Sequence, residues 1–560
     1  MMDRRCRLAA LATAAVAGLH CVNLFHAGGL WRDEANSMAL ANLPTLKQVW
    51  SLLATDSFPG LFPLTMRLLG PMGWDLSDFY LRIFGFLVGI SLLGALWWNA
   101  RTLGIGSPLL SVSLLGSNLT IIHWGDSLRA YGLGSLLMLI TIGLIWRLIG
   151  NMSPRRAAAA ALAAVLSVQC LYQNTFLLAA ICAAASAVCM RRKKKKELFA
   201  VLVIALIAAF SLLPYATIVA RAQAWWMILK APLPLRWIWA RWCESLDDST
   251  PWMHWVWGGW YGAGMLLALS AMRKPARAKL SGPQKDLCLF AVVALAAGTL
   301  GFLIFLKIAS LPTANWYYIP LMVFAALCLD VIMALAPKGA TTGITLLCCA
   351  ILGLSFPAVW QGVHRRQTNI DTIAALLERE ARPDDLIVVD PWACAVSFNR
   401  YYKGAAPWLA VPPLGDRTIH RYDLLKEKMA EPTAIKPVID RMAKTLSSGN
   451  RLWMIGNAFL PASSEFPADL PPPPLPASGW SDWPYSDNWS RQIWHFIFSH
   501  AVRVEHLTPM VLAQPIYSLE SLPLYVFSGW DPGAASVGRF DAPGAVEIVP
   551  RGSLNGELLH

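Results

Sequence analysis

The sequence predicts an α-helical polytopic membrane bundle followed by a water-soluble C-terminal α/β domain. Three observations carry that expectation. Of 560 residues, 56% are hydrophobic and only 14% charged, where a soluble globular chain carries about a quarter charged residues. Long apolar runs alternate with short clusters of Lys and Arg as far as Val359. Beyond Val359 the runs shorten and charged and turn-forming residues return. The 26 tryptophans fit the same picture, because an indole is apolar in its ring and wet at its N–H, which suits a membrane interface.

A membrane span needs about 20 mostly apolar residues. On hydropathy about eleven segments qualify: Leu8–Phe25, Phe79–Trp98, Pro108–Trp124, Ala130–Ile149, Ala157–Thr175, Phe176–Met190, Leu198–Ala220, Trp255–Met272, Leu287–Ala309, Trp316–Leu335 and Thr341–Val359. Gln173-Asn174 separates two of them by a tight break, and the second of that pair is short. The first segment has the basic start and apolar middle of a signal peptide. It lacks a small-residue cleavage site and runs straight to Arg32-Asp33-Glu34, so it is taken as a span.

Arg4, Arg5 and Arg7 place the N-terminus in the cytoplasm. Alternation then puts Arg101, Arg155-Arg156, the run Arg191–Lys196, Arg273–Lys279 and Lys338 on that same side, as the positive-inside rule requires. The run Arg191–Lys196 reads foremost as a topology determinant, with binding of acidic lipid as the alternative. An odd number of spans leaves the domain after Val359 outside the cell membrane, in the periplasm if the cell has two membranes. The expected organisation is therefore a membrane domain over 1–359, with a long external loop over 28–78, and a soluble domain over 360–560.

The net charge of +13 could suggest nucleic acid, but the basic residues sit in short clusters between apolar runs, which excludes that partner. Most of the 11 cysteines lie inside apolar runs, as Cys170, Cys182, Cys328, Cys348 and Cys349 do, and read as small buried apolar residues. Cys243 and Cys394 fall on the outer side, where a disulfide between them is possible. No cofactor is evident. No carboxylate and histidine cluster has ligand spacing, and nothing in the sequence requires or rules out a divalent metal.

In the external loop, Leu46–Leu53 and Leu61–Leu69 have the apolar periodicity of helices lying in the interface. The loop from Arg221 to His254 reads the same way, with Trp225, Trp226, Trp237, Trp239 and Trp242 among Arg221, Arg236 and Arg241. In the soluble domain, Asp371–Arg379 has helical spacing and Asp385–Asp390 is a short apolar run bounded by turn residues, hence a buried strand. Arg451–Ile455 and Leu522–Phe527 read as further strands. Leu470–Pro476, with four consecutive prolines, is an extended connector. Val549–Ser553 is like a tag-protease site and is assigned nothing.

The chemistry-bearing residues cluster at the outer ends of the early spans. Asp33 and Glu34 follow the first span, and adjacent carboxylates there suit general-base work on a hydroxyl. A solvated loop start beside Arg32 is the equal alternative. Arg129 and Tyr131 open the fourth span after His123-Trp124-Gly125-Asp126. An interfacial Arg often only snorkels, but its planar fork also suits a phosphate. Arg82 sits a few residues inside the second span, where a charge is costly and marks function or a bundle interior. Asp56, Asp126 and Tyr317 are secondary candidates.

In these residues the chain resembles the GT-C membrane glycosyltransferases, the class that includes protein O-mannosyltransferases and lipid A aminoarabinose transferases. The acidic pair Asp33-Glu34 lies in the first external loop. Ser57-Phe58-Pro59-Gly60-Leu61-Phe62-Pro63-Leu64 is a loose counterpart of the family's Pro-Pro-Leu stretch. Asp78-Phe79-Tyr80-Leu81-Arg82 matches an acidic-x-x-x-Arg span start, and Arg129-Ala130-Tyr131 an Arg-x-Tyr start. Thr368–Tyr402 is similar to the opening of the family's external domain. Two departures stand out: the His before the Pro-Pro-Leu stretch is absent, with Asp56 nearby, and the late Arg-Tyr reads Asn315-Trp316-Tyr317-Tyr318.

The resemblance implies a GT-C-like bundle and transfer of a sugar from a polyprenyl-phosphate donor to an acceptor outside the cytoplasm: an envelope glycan, a lipid or a protein. It makes Asp33 the base, Glu34 its partner, and Arg129, Arg82 and Tyr131 the donor-phosphate contacts, with inversion at the sugar carbon. A transporter or flippase for a lipid-linked or polar substrate is the chief rival. It usually shows an internal repeat and broken midplane helices, and no repeat is visible here. A scaffold displaying its outer domain is a second rival, and it has no use for Arg82 inside a span.

Overall fold

The computed structural model describes residues 4–56, 58–225, 234–272, 280–309, 313–458, 482–507 and 514–532. Ser57, Trp226, Arg273–Lys279, Leu470–Pro476 and Val549–Ser553 lie outside them. The chain forms two compact units, one of residues 1–27, 41–220 and 230–364, the other of 28–40, 221–229 and 365–560.

The first unit is helical. Among the described residues eight helices are long and apolar enough to cross a membrane: Arg4–His26, Asp78–Thr102, Ala130–Gly150, Asn174–Arg191, Lys195–Arg221, Gly282–Ile308, Asn315–Met333 and Gly339–Val363. Large apolar side chains stand exposed along them, among them Leu206, Leu300, Ile304, Leu346 and Leu354. An apolar surface of that extent requires a solvent other than water, so the protein is an integral membrane protein.

The three remaining segments expected to span are helical but differ from a plain apolar span. Pro154–Cys170 is 17 residues long, and Met253–Met272 is diluted by Trp and Gly. Pro108–Trp124 is not one helix. It breaks into Leu109–Gly116 and Leu119–His123, because Asn118 Oδ1 caps the second piece at the Ile121 N–H while its Nδ2 donates to the Ser245 and Leu246 carbonyls. Irregular backbone at such depth is tolerated where protein surrounds it, and the residues from 109 to 131 are buried. The break expected at Gln173-Asn174 falls between Cys170 and Asn174, where Asn174 Nδ2 donates to the Gly134 and Ser167 carbonyls. The segments expected to be interfacial are helical at Leu46–Leu52, Leu61–Leu69 and Leu235–Asp247.

The second unit is built on a five-stranded sheet: β1 Leu386–Val389, β2 Trp408–Ala410, β3 Leu452–Ile455, β4 Ala501–His506 and β5 Leu524–Trp530. The order is β2-β1-β3-β5-β4, with β1 parallel to β2 and β3, and β5 antiparallel to β3 and β4. Alternate residues of a strand face opposite sides. Leu386 and Val388 accordingly join a core with Val438, Met442, Trp489 and Trp494, whereas Ile387 and Val389 join Ile373, Leu377 and Phe398. A strand covered by helices on both faces must be apolar at every position, which is why β1 reads as an unbroken run. The helix Ile370–Glu380 buries Ile370, Ile373, Ala374 and Leu377, the spacing of one helical face.

Asp385 ties β1 to β3. Its carboxylate accepts from the Arg451 N–H at 3.0 Å, Arg451 Nε at 3.1 Å, Trp453 Nε1 at 3.1 Å and the Arg382 N–H at 2.9 Å. Burial pushes its carboxyl up, but these donors outweigh burial and hold it below the ordinary carboxylate range. The stability it contributes is therefore present above the unfolded value and is lost as pH falls through the lower folded value. Asp385→Asn should destabilise the domain by about 2–3 kcal/mol at pH 7, measured as a lower melting temperature. An unchanged melting temperature would remove this role.

Candidate functional site

The residues singled out by sequence fall into both units. In the first unit, Arg129 is the N-cap residue of the helix Ala130–Gly150. Its guanidinium is buried, with Nη1 3.1 Å from Asp56 Oδ1 and Cζ 4.4 Å from the Phe58 ring centroid. A planar cation over an aromatic face gains electrostatic attraction that strengthens as water is excluded. The Phe58 ring meets Tyr131 edge-on at 5.2 Å, and Tyr131 lies 5.7 Å from Tyr317. Arg129, Asp56, Phe58, Tyr131 and Tyr317 thus form one cluster of a cation, its counter-ion and an aromatic wall.

The same loop holds a second buried pair. His20 Nδ1 lies 2.8 and 2.9 Å from the two Asp126 oxygens, and Arg82 is within electrostatic reach of Asp126. The loop from Trp124 to Arg129 can approach the helix Asp78–Thr102 closely because that helix presents Gly85 and Gly89. A Cβ at Gly85 would run into the Asp126 carbonyl oxygen, and one at Gly89 into the Asp126 carboxylate. Asp126 is therefore held by His20 and anchors the loop that ends in Arg129.

In the second unit, Asp33 and Glu34 occupy the first turn of the helix Arg32–Ala41, where a negative charge is favoured by the helix dipole. They are not equivalent. Glu34 is fully buried and its Oε2 accepts from the Trp31 N–H at 3.3 Å, the reciprocal half of a capping box. Asp33 keeps 22% of its side chain exposed, with Oδ1 3.9 Å from Arg32 Nε. Of the pair, Asp33 is the more exposed carboxylate.

The partners of these residues were not visible in the sequence. Phe58 lay inside a motif with no role of its own. His20 lies in the first span, where an ionisable residue is a signal in itself, but its partner is far away in sequence. Glu520, whose Oε1 accepts from the Arg32 N–H at 2.9 Å, sits in an unremarkable loop sequence. All 11 cysteines are free thiols, Cys243 and Cys394 included, so the disulfide the sequence left open is not formed. Among the described residues no group of three or more His, Cys, Asp or Glu is placed to hold a metal ion.

Fold and site define an integral membrane protein with a helical bundle, a buried cationic cluster and an α/β domain that includes the acidic pair. No family model matches the chain, and no curated protein does. Among solved structures, it is similar to the crystal structure of ArnT from Cupriavidus metallidurans bound to undecaprenyl phosphate. The TM-score is 0.48 and the identity 13%, over 80% of this chain and 92% of that one. A likeness of that degree shows no function.

Proposed function

We propose that this protein is a membrane glycosyltransferase that moves a sugar from a polyprenyl-phosphate donor to a hydroxyl-bearing acceptor outside the cytoplasm. The observation that carries the reading is the Arg129 cluster. A buried guanidinium stands at the start of the helix Ala130–Gly150, where backbone N–H groups and the helix dipole add positive potential. A leaving phosphate develops its charge in such a place, and preorganised cations act most strongly on developing charge. The order of the acidic pair, Arg82 and Arg129-Ala130-Tyr131 along the chain supports the same reading.

In the reaction, the acceptor oxygen bonds to the anomeric carbon as the bond from that carbon to the phosphate oxygen breaks. Asp33 takes the acceptor proton, and the polyprenyl phosphate leaves with the electron pair. Arg129 and Arg82 counter its charge, and Tyr131 and Tyr317 supply an aromatic wall. Attack opposite the leaving group inverts the sugar carbon. Glu34 fixes the helix start from which Asp33 projects.

The test is incubation of the purified protein in lipid nanodiscs with a radiolabelled polyprenyl-phosphate sugar and an envelope extract. Label should move from lipid to acceptor. Flipping of the intact donor without cleavage in proteoliposomes would instead establish a transporter. The proposed topology, in the cytoplasmic membrane with the N-terminus inside and the C-terminal domain outside, has its own test. In a cysteine-free background, a cysteine at exposed Ala405 should react with an impermeant thiol reagent in intact cells, and one at exposed Lys195 should not. Labelling of both from one side would overturn the topology.

A further inference from the structure

The segment carrying the acidic pair follows the first span directly, yet it packs as part of the unit formed by residues 365 onward. Four contacts, each distant in sequence, hold it there. Gly28, at φ +70°, lies close over the Arg366 guanidinium, which would have to shift to admit a Cβ. The Leu30 N–H donates to Tyr401 Oη at 2.6 Å. The Arg32 N–H donates to Glu520 Oε1 at 2.9 Å. Asn36 Oδ1 accepts from the His420 N–H at 2.7 Å.

Of the four, the Glu520 contact bears on chemistry. Glu520 is fully buried, and it satisfies a backbone donor of the helix's first turn that has no partner within the helix. Its Oε1 also lies 3.8 Å from Arg32 Nε, while Asp33 Oδ1 lies 3.9 Å from that same nitrogen. One guanidinium is thus shared, at nearly equal distances, between the proposed base and a carboxylate nearly five hundred positions further along the chain. We infer that Glu520 is a positioning residue for the proposed sugar transfer: it fixes the helix start that presents Asp33 and draws the Arg32 charge away from that carboxylate. The inference rests on the reading of Asp33 as the base.

Arg32 feels the charges of Glu520, Asp33, Cys394 and Tyr422, and Asp482 feels that of Arg32. Glu520 feels the charges of Arg32 and Asp33, and the Thr368 hydroxyl donates to it. Burial pushes the Cys394 thiol up to about 12, so it is neutral throughout the working range. Burial likewise pushes the Glu520 carboxyl up to about 7, against the pull of Arg32. Near neutrality Glu520 therefore changes charge. Above that range it is a carboxylate and competes for Arg32. Below it, the protonated acid leaves Arg32 to Asp33, whose carboxylate is then engaged by a cation instead of the acceptor hydroxyl.

The stability effect has the opposite sign, which separates positioning from scaffolding. A carboxyl raised from 4.5 to about 7 on folding contributes stability that is fully present below 4.5 and lost as pH rises through about 7. Glu520→Gln keeps shape and acceptor but cannot ionise. It should match or exceed the parent's melting temperature at pH 8 while transferring sugar about tenfold more slowly there, the scale of a small misplacement of a reacting group. It should also lose a rate inflection near pH 7 that the parent shows. Hydrogen–deuterium exchange of the full chain in nanodiscs adds a readout free of any donor: peptides covering 28–41 should exchange faster in Glu520→Ala, with those of β1 and β3 unchanged.

A Glu520→Gln variant that keeps the parent's rate and pH profile overturns the inference, as does one whose slower rate merely follows a lower melting temperature. If the parent itself transfers no sugar, the functional reading fails first, and unchanged exchange over 28–41 in Glu520→Ala then removes the anchoring as well.

Discussion

Asp33→Asn should lower the rate of sugar transfer by about a hundredfold to ten-thousandfold, the range a general base contributes, while donor binding and folding stay near the parent's. The substitution keeps side-chain volume and removes only the charge, at a position that is part-exposed and projects from the first turn of its helix. Losing a negative charge there weakens the helix start by about 0.3–1 kcal/mol, too little to unfold the domain or to account for the rate. Glu34→Gln should behave differently. Glu34 is buried and accepts from the Trp31 N–H, so its loss should show in stability together with activity. Transfer assays with donor binding measured separately decide the matter, and an Asp33→Asn variant that works at the parent rate places the base elsewhere.

Arg129→Ala should slow transfer by about a hundredfold to a thousandfold, as loss of a preorganised charge-stabilising donor does, and should weaken donor binding. Arg129→Lys should restore only part, because an ammonium offers a point charge where the guanidinium offers a fork and a face to stack on Phe58. Removing Arg129 also deprives the buried Asp56 carboxylate of its guanidinium, a change that costs about 3–5 kcal/mol in comparable buried pairs. The single variant alone would therefore confuse chemistry with stability. Combining Arg129→Ala with Asp56→Asn should recover much of the melting temperature and none of the transfer. Recovery of both together would mean that Arg129 serves only as the partner of Asp56.

The contact with Asp56 also bears on which carboxylate is the base. On sequence, Asp56 was a substitute candidate near a motif lacking its histidine. In the structure it is the buried counter-ion of Arg129. On the proposed function, an arriving phosphate would compete with Asp56 for the same guanidinium, which fits an electrostatic role for Asp56 and leaves Asp33 as the candidate for proton transfer.

Much of the architecture follows from local pattern. Apolar length marks the spans, and the unbroken apolar run between Asp385 and Asp390 marks a buried strand. The spacing of Ile370, Ile373, Ala374 and Leu377 marks a helix. Periodicity and length are properties of neighbouring residues, so they can be read without knowing the fold. The acidic pair and the Arg129-Ala130-Tyr131 start were legible for the same reason, since each stands at a helix beginning where charge and backbone donors are locally related. What a buried polar group pairs with is not local. The break at Ser117-Asn118 exists because Asn118 finds the Ser245 and Leu246 carbonyls. His20 holds Asp126, Asp56 holds Arg129, and Glu520 caps the helix of Asp33. Taking a charge out of water is costly unless a partner meets it, and which partner does so is decided only when segments far apart in sequence are brought together.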